Sequence, residues 1–113
     1  MRFSLELRLL HAIWQEKMAL LKLVLKAYAS TAEARRPPLP LPLVAEVLAC
    51  LRSDGRKEAG LRCAALELLI GLLPLVGVLD AATVADVKGA TEPLRDDDDP
   101  FVQNKARELL ALL

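Results

Sequence analysis

Apolar residues in this chain recur at steps of three and four, the spacing of helices that bury one face. The longest stripe is Phe3, Leu7, Leu10, Trp14, Met18, Leu21, Leu25 and Tyr28. Leu9, Ile13, Leu20 and Val24 widen it, while Glu6, Gln15, Lys22 and Lys26 hold the other side, which predicts one amphipathic helix over residues 3–29. Residues 30–42 break the period. Pro37, Pro38, Pro40 and Pro42 lack an amide donor and favour extended geometry, so this stretch reads as a stiff loop.

The stripe resumes with Val44, Val47, Leu48 and Leu51 in a helix over 43–52, then stops at the turn signal Ser53-Asp54-Gly55. Leu61, Ala65, Leu68, Leu69 and Leu72 mark a third helix over 56–73, ended by Pro74 and Gly77. A weaker helix is expected over 80–90 with Val84 and Val87 inward, followed by an acidic loop over 92–99. The last helix starts at Pro100, where a missing N–H costs nothing, with Asp99 as its N-cap. No segment sustains a period of two. The fold class expected is all-α, with about five helices.

Two of these helices share a pattern. Leu61, Ala65, Leu69 and Leu72 fall on Val102, Ala106, Leu110 and Leu113 at one common offset. The alanine in each allows a partner helix to come close, and an acidic turn precedes both helices. The offset is about 41 residues, and a period of about 40 to 47 is that of HEAT and armadillo-type repeats. Asp99-Pro100-Phe101-Val102-Gln103-Asn104-Lys105-Ala106 resembles the opening of the HEAT second helix, an Asp, a Val-Arg pair and an alanine three residues later, with Gln103 in place of the arginine. Leu61-Arg62-Cys63-Ala64-Ala65 keeps the arginine but puts leucine before it. The chain thus resembles the HEAT/armadillo family over about residues 40–113, although the expected first helices lack that family's mid-helix proline. The resemblance implies antiparallel hairpins stacked as an α-solenoid. The N-terminal helix at 3–29 and the Pro-rich loop at 30–42 would precede repeat hairpins at 43–73 and 78–113.

Composition supports helices and narrows the function. The 113 residues are 54% hydrophobic but only 4% aromatic, with leucine and alanine dominant. Fifteen Lys and Arg balance 15 Asp and Glu, so the net charge is zero and no nucleic-acid partner is expected. The most apolar run, residues 68–79, holds twelve residues where a membrane span needs about 20, so no membrane association is expected. Glu6 and Arg8 interrupt any leader-like run. Cys50 and Cys63 read as reduced, buried thiols, which predicts a soluble protein of the cytoplasm or nucleus.

Candidate chemistry is sparse. His11 is the only histidine and forms no ligand set with two separated cysteines, so neither a metal nor another cofactor is expected. Asp96-Asp97-Asp98-Asp99 lacks the alternation and closing Glu of a calcium loop and reads as a solvated connector. Pro37 and Pro40 form a Pro-x-x-Pro core, but the arginine expected three residues before it is Ala34. No catalytic residues are expected, and the chain reads as a non-enzyme.

The HEAT resemblance implies a scaffold or adaptor within a larger solenoid or complex. By that resemblance the second helices line the partner-binding surface, which selects Glu58, Arg62, Glu67, Lys105, Arg107 and Glu108 as exposed contact residues. The alternative is a compact bundle that homodimerises through the first helix, using Leu7, Leu10, Trp14, Leu21 and Leu25.

Overall fold

The computed structural model describes residues 14–32, 35–75 and 77–113, and every element among them is helical. The α-helices are α1 (Trp14–Ser30), α2 (Leu41–Leu51), α3 (Ala59–Leu72), α4 (Ala81–Thr91) and α5 (Pro100–Leu112). Short 3-10 turns at Arg56–Glu58 and Glu92–Asp96 lead into α3 and out of α4. Among the described residues the fold is all-α and contains no strand.

Helix ends follow local chemistry, and three depart from the hydrophobic pattern. α2 begins at Leu41, two residues ahead of the predicted start, because Pro42 falls at the first positions of the helix where no amide donor is needed. The Val44 amide donates to the Pro40 carbonyl at 3.0 Å and closes the first turn. The predicted third helix splits into a 3-10 turn and α3 after Gly55, which adopts φ 95°, a conformation that a Cβ disfavours. In the predicted loop 92–99, Leu94 is buried and pins the 3-10 turn at Glu92–Asp96. Asp80 caps α4 by accepting from the Thr83 amide at 2.7 Å, and this bond holds its carboxyl below the usual value of 3.8.

The helices pack in two rows. α1 lies against α3 and α3 against α5, while α2 lies against both α3 and α4, and α4 meets α5. α3 therefore has neighbours on most of its circumference, and Leu66, Leu68, Leu69 and Leu72 are each no more than 1% exposed. Burial of each such leucine contributes roughly 1.5–3 kcal/mol. Glycine sets the closeness of α1 to α3. A Cβ on Gly71 would lie 2.5 Å from Leu25 Cδ1, and one on Gly60 would lie 3.1 Å from Met18 Cε. Lys17 on α1 also pairs with Glu46 on α2 at 2.6 Å, tying the two rows together.

Candidate functional site

The densest polar cluster grows from one residue on α3. Arg62 lies one turn into the helix on a face otherwise apolar, and it is only 5% exposed. Its Nη1 donates to the carbonyls of Ser53 and Gly55, each at 2.9 Å, and so holds the turn before its own helix. Nη2 donates to Asp97 Oδ2 at 3.3 Å, 35 residues away. Nε sits 3.2 Å from Asp97 Oδ1, close enough for ionic attraction but not aligned for a hydrogen bond. The guanidinium thus bridges two loops, from the start of α3 to the start of α5.

Asp97 and Asp99 extend this linkage. Asp97 Oδ2 also accepts from the Asp99 amide at 3.0 Å. Asp99 Oδ1 accepts from the amides of Phe101 at 2.8 Å and Val102 at 3.2 Å, capping α5 where orphan donors and the helix dipole favour a carboxylate. The Gln103 side-chain amide donates to the Asp97 carbonyl. Gln103 stands at the common sequence offset from Arg62 and makes the same kind of contact, a donor reaching the loop before its own helix.

Beside this network is an open cleft of about 410 Å³, lined by Asp54, Arg56, Asp97, Asp98, Asp99 and Arg62. Two of its four aspartates are committed to structure: Asp97 is ion-paired and Asp99 caps a helix, while Asp54 and Asp98 are exposed. Among the described residues, no group of three or more His, Cys, Asp or Glu is placed to hold a metal ion. What the arrangement does is mechanical. It couples two loops and two helices through one buried cation.

Several expected site residues lie elsewhere than the pattern suggested. Arg62 is not an exposed contact, because its guanidinium is consumed within the fold. Glu67, Arg107 and Glu108 are exposed, whereas Glu58 is half-buried in the 3-10 turn. Lys105 is half-buried and sits 3.6 Å from Glu108. On the expected association face, Leu21 is 1% exposed and Leu25 rests over Gly71, because α3 occupies that side of α1. Trp14 opens α1, and Leu7, Leu10 and His11 lie outside the described residues.

The remaining candidates are also absorbed by structure. In the Pro-rich loop, Arg36 Nε donates to the Tyr28 carbonyl at 3.1 Å and Tyr28 Oη donates to the Pro38 carbonyl at 3.3 Å. The Leu39 amide donates to the Val78 carbonyl at 2.8 Å, with the Leu39 side chain buried, so the Pro37–Pro40 core is fastened to the fold at its centre. Cys50 is buried, and desolvation reinforced by Glu46 pushes its thiol up to about 11. Cys63 is half-buried, not buried as expected, and desolvation together with Asp99 and Glu67 also raises it. Both are free thiols in the protonated state at neutral pH.

The acidic run is not simply solvated. Asp96 and Asp98 are exposed, but Asp97 and Asp99 are structural for the reasons above. The Arg62–Asp97 link escaped the hydrophobic pattern because its partners are far apart in sequence. The available signal was a cation on an apolar helical face, with another donor, Gln103, in the same register. No described helix is long and apolar enough to cross a membrane. No protein-family model matches the chain, and no curated protein or solved structure matches it at a significant level.

Proposed function

We propose that the chain is a HEAT-like helical-repeat module, a non-catalytic scaffold or adaptor that works within a larger solenoid or complex of the cytoplasm or nucleus. The observation that supports this is a register shared by three helices. Leu20, Leu61 and Val102 stand one repeat period apart and are each no more than 4% exposed; Val24, Ala65 and Ala106 repeat the pattern. Lys26, Glu67 and Glu108 stand at the same spacing and are all exposed. Stacked units that keep one register bury a continuous core and leave one continuous edge for other proteins. The Arg62–Asp97 bridge supports the same reading, since it couples one unit to the next.

The contact residues follow from that edge: Glu67 and Glu108, with Lys105 and Arg107 next to Glu108, Glu58 half-buried at the start of α3 and Arg62 withdrawn. A charge-reversed variant, Glu67→Lys with Glu108→Lys, tests the reading without touching the core. Affinity capture with quantitative mass spectrometry is expected to recover protein partners with the native chain and to lose them with the variant. Circular dichroism should show equal helix content in both. A native chain recovered without protein partners, or a variant that keeps the same set, would overturn the proposal.

A further inference from the structure

The bonds that fasten the Pro-rich loop hold only one of its edges. Pro37, Pro38 and Pro40 fix their own φ, and each biases the residue before it toward extended backbone. Pro40 has φ −59° and ψ 142°, and residues 36–40 form neither helix nor strand, so the segment reads as polyproline II. Such a helix has three residues per turn and therefore three edges. Arg36 and Leu39 form the edge that faces the fold: Arg36 Nε donates to the Tyr28 carbonyl, and Leu39 is 6% exposed with its amide on the Val78 carbonyl. Pro37 and Pro40 form a half-buried edge. Arg35, Pro38 and Leu41 form the third, and all three are exposed, Leu41 at 75%. Leu41 already opens α2, but α-helix and polyproline II share φ to within about 15°, so its side chain still leaves the backbone along this edge.

Polyproline II segments dock in aromatic-lined grooves, which pack against two of the three edges and leave the third outside. Here the third edge is the one already anchored, so the fold holds the segment in a conformation a groove can read. Little further ordering entropy is then lost on docking. We infer that residues 35–41 are a polyproline ligand presented on the fold to an SH3-type groove of a protein partner. The Pro37-Pro38 and Pro40-Leu41 pairs fill its aromatic pockets, and Arg35 meets a carboxylate at the groove's end. The cation at the N-terminal end sets the direction of docking. The register is Arg35-x-x-Pro38-x-x-Leu41, one residue on from the Pro37–Pro40 core whose arginine position is Ala34. Leu41 stands where a second proline would fall and supplies the apolar side chain instead. This surface is distinct from the edge carrying Glu67 and Glu108, and it does not depend on the helical-repeat reading.

Biolayer interferometry of the immobilised full chain against a panel of isolated SH3 domains that select Arg-x-x-Pro ligands tests the assignment. At least one domain is expected to bind. Arg35→Ala, at an exposed position, should weaken that binding at least about tenfold, whereas Arg36→Ala should change it less than about threefold. Circular dichroism checks that both variants keep native helix content. In the complex the Leu39 amide should stay protected from hydrogen exchange, because its edge remains on the fold. A panel without a binder, binding that survives Arg35→Ala, or an equal loss in Arg36→Ala would overturn the assignment. Loss of Leu39 protection on binding would overturn it too, since the groove would then read a detached loop and not a presented one.

Discussion

α3 and α5 carry one apolar pattern in two different surroundings. Both have an acidic residue at the N-cap position, Glu58 and Asp99, and the two stand at the same sequence offset as the shared stripe. Both bury the equivalent core positions, Leu61 with Val102 and Ala65 with Ala106. Past these positions they diverge. Leu69 and Leu72 are buried, but Leu110 and Leu113 are only half-buried, and Leu112 is exposed. α3 packs against α1, α2 and α5, while α5 packs against α3, α4 and the turn ahead of it. The difference teaches that the repeated stripe specifies where a helix docks, while the flanking positions specify whether anything docks on it.

Breaking the comparison begins with the donors that hold each helix to its loop. Arg62→Ala removes one partner of a buried ion pair and leaves Asp97 without its cation, so it is expected to cost about 3–5 kcal/mol. Gln103→Ala deletes one neutral hydrogen bond at the same register and is expected to cost about 1 kcal/mol. Urea unfolding followed by circular dichroism measures both. Equal losses would mean that the Arg62 bridge contributes no more than a local loop contact.

Buried Leu66 and exposed Arg107, which stand at the common offset of the two stripes, give the next contrast. Leu66→Ala is expected to cost about 2–5 kcal/mol, the loss of a fully buried leucine plus the cavity left behind. Arg107→Ala at the same position of α5 should stay within about 0.5 kcal/mol. Thermal melts of the two variants against the native chain decide it. A large loss at Arg107 would show that its side chain is engaged with something beyond solvent.

Much of this architecture is readable from the sequence, and the shortfalls have physical causes. A helix period depends only on residues within a few turns, so among the described residues the five helices are predicted from spacing, with errors confined to their ends; residues 3–13 of the first predicted helix lie outside the described residues. Those errors arise where a single residue decides, as Pro42 does at the start of α2 and Leu94 in the turn after α4. The candidate surfaces are harder to read because exposure is a property of neighbours. Leu21 and Leu25 look available on an isolated helix and are not, since α3 returns to cover them. Arg62 looks like a solvated surface charge until the turn at residues 53–55 and Asp97 converge on it.

The smallest expected effect concerns how the two helices begin. Glu58 makes no side-chain capping bond, and the 3-10 turn that it closes delivers the chain directly into α3. Asp99 caps α5 with two amide contacts. The asymmetry matches the packing: α3 is held by neighbours on several sides, whereas α5, exposed over its outer face, depends more on its own termini. Asp99→Ala is therefore expected to cost about 1 kcal/mol, and Glu58→Ala only a few tenths. Amide hydrogen exchange localises the loss: the first turn of α5 should exchange faster in Asp99→Ala, while the first turn of α3 stays unchanged in Glu58→Ala. Asp99→Asn, which keeps an acceptor oxygen at the same place, should restore most of the protection. Were Glu58→Ala to free the start of α3 to a similar degree, the contrast between a packed helix and a capped one would fail.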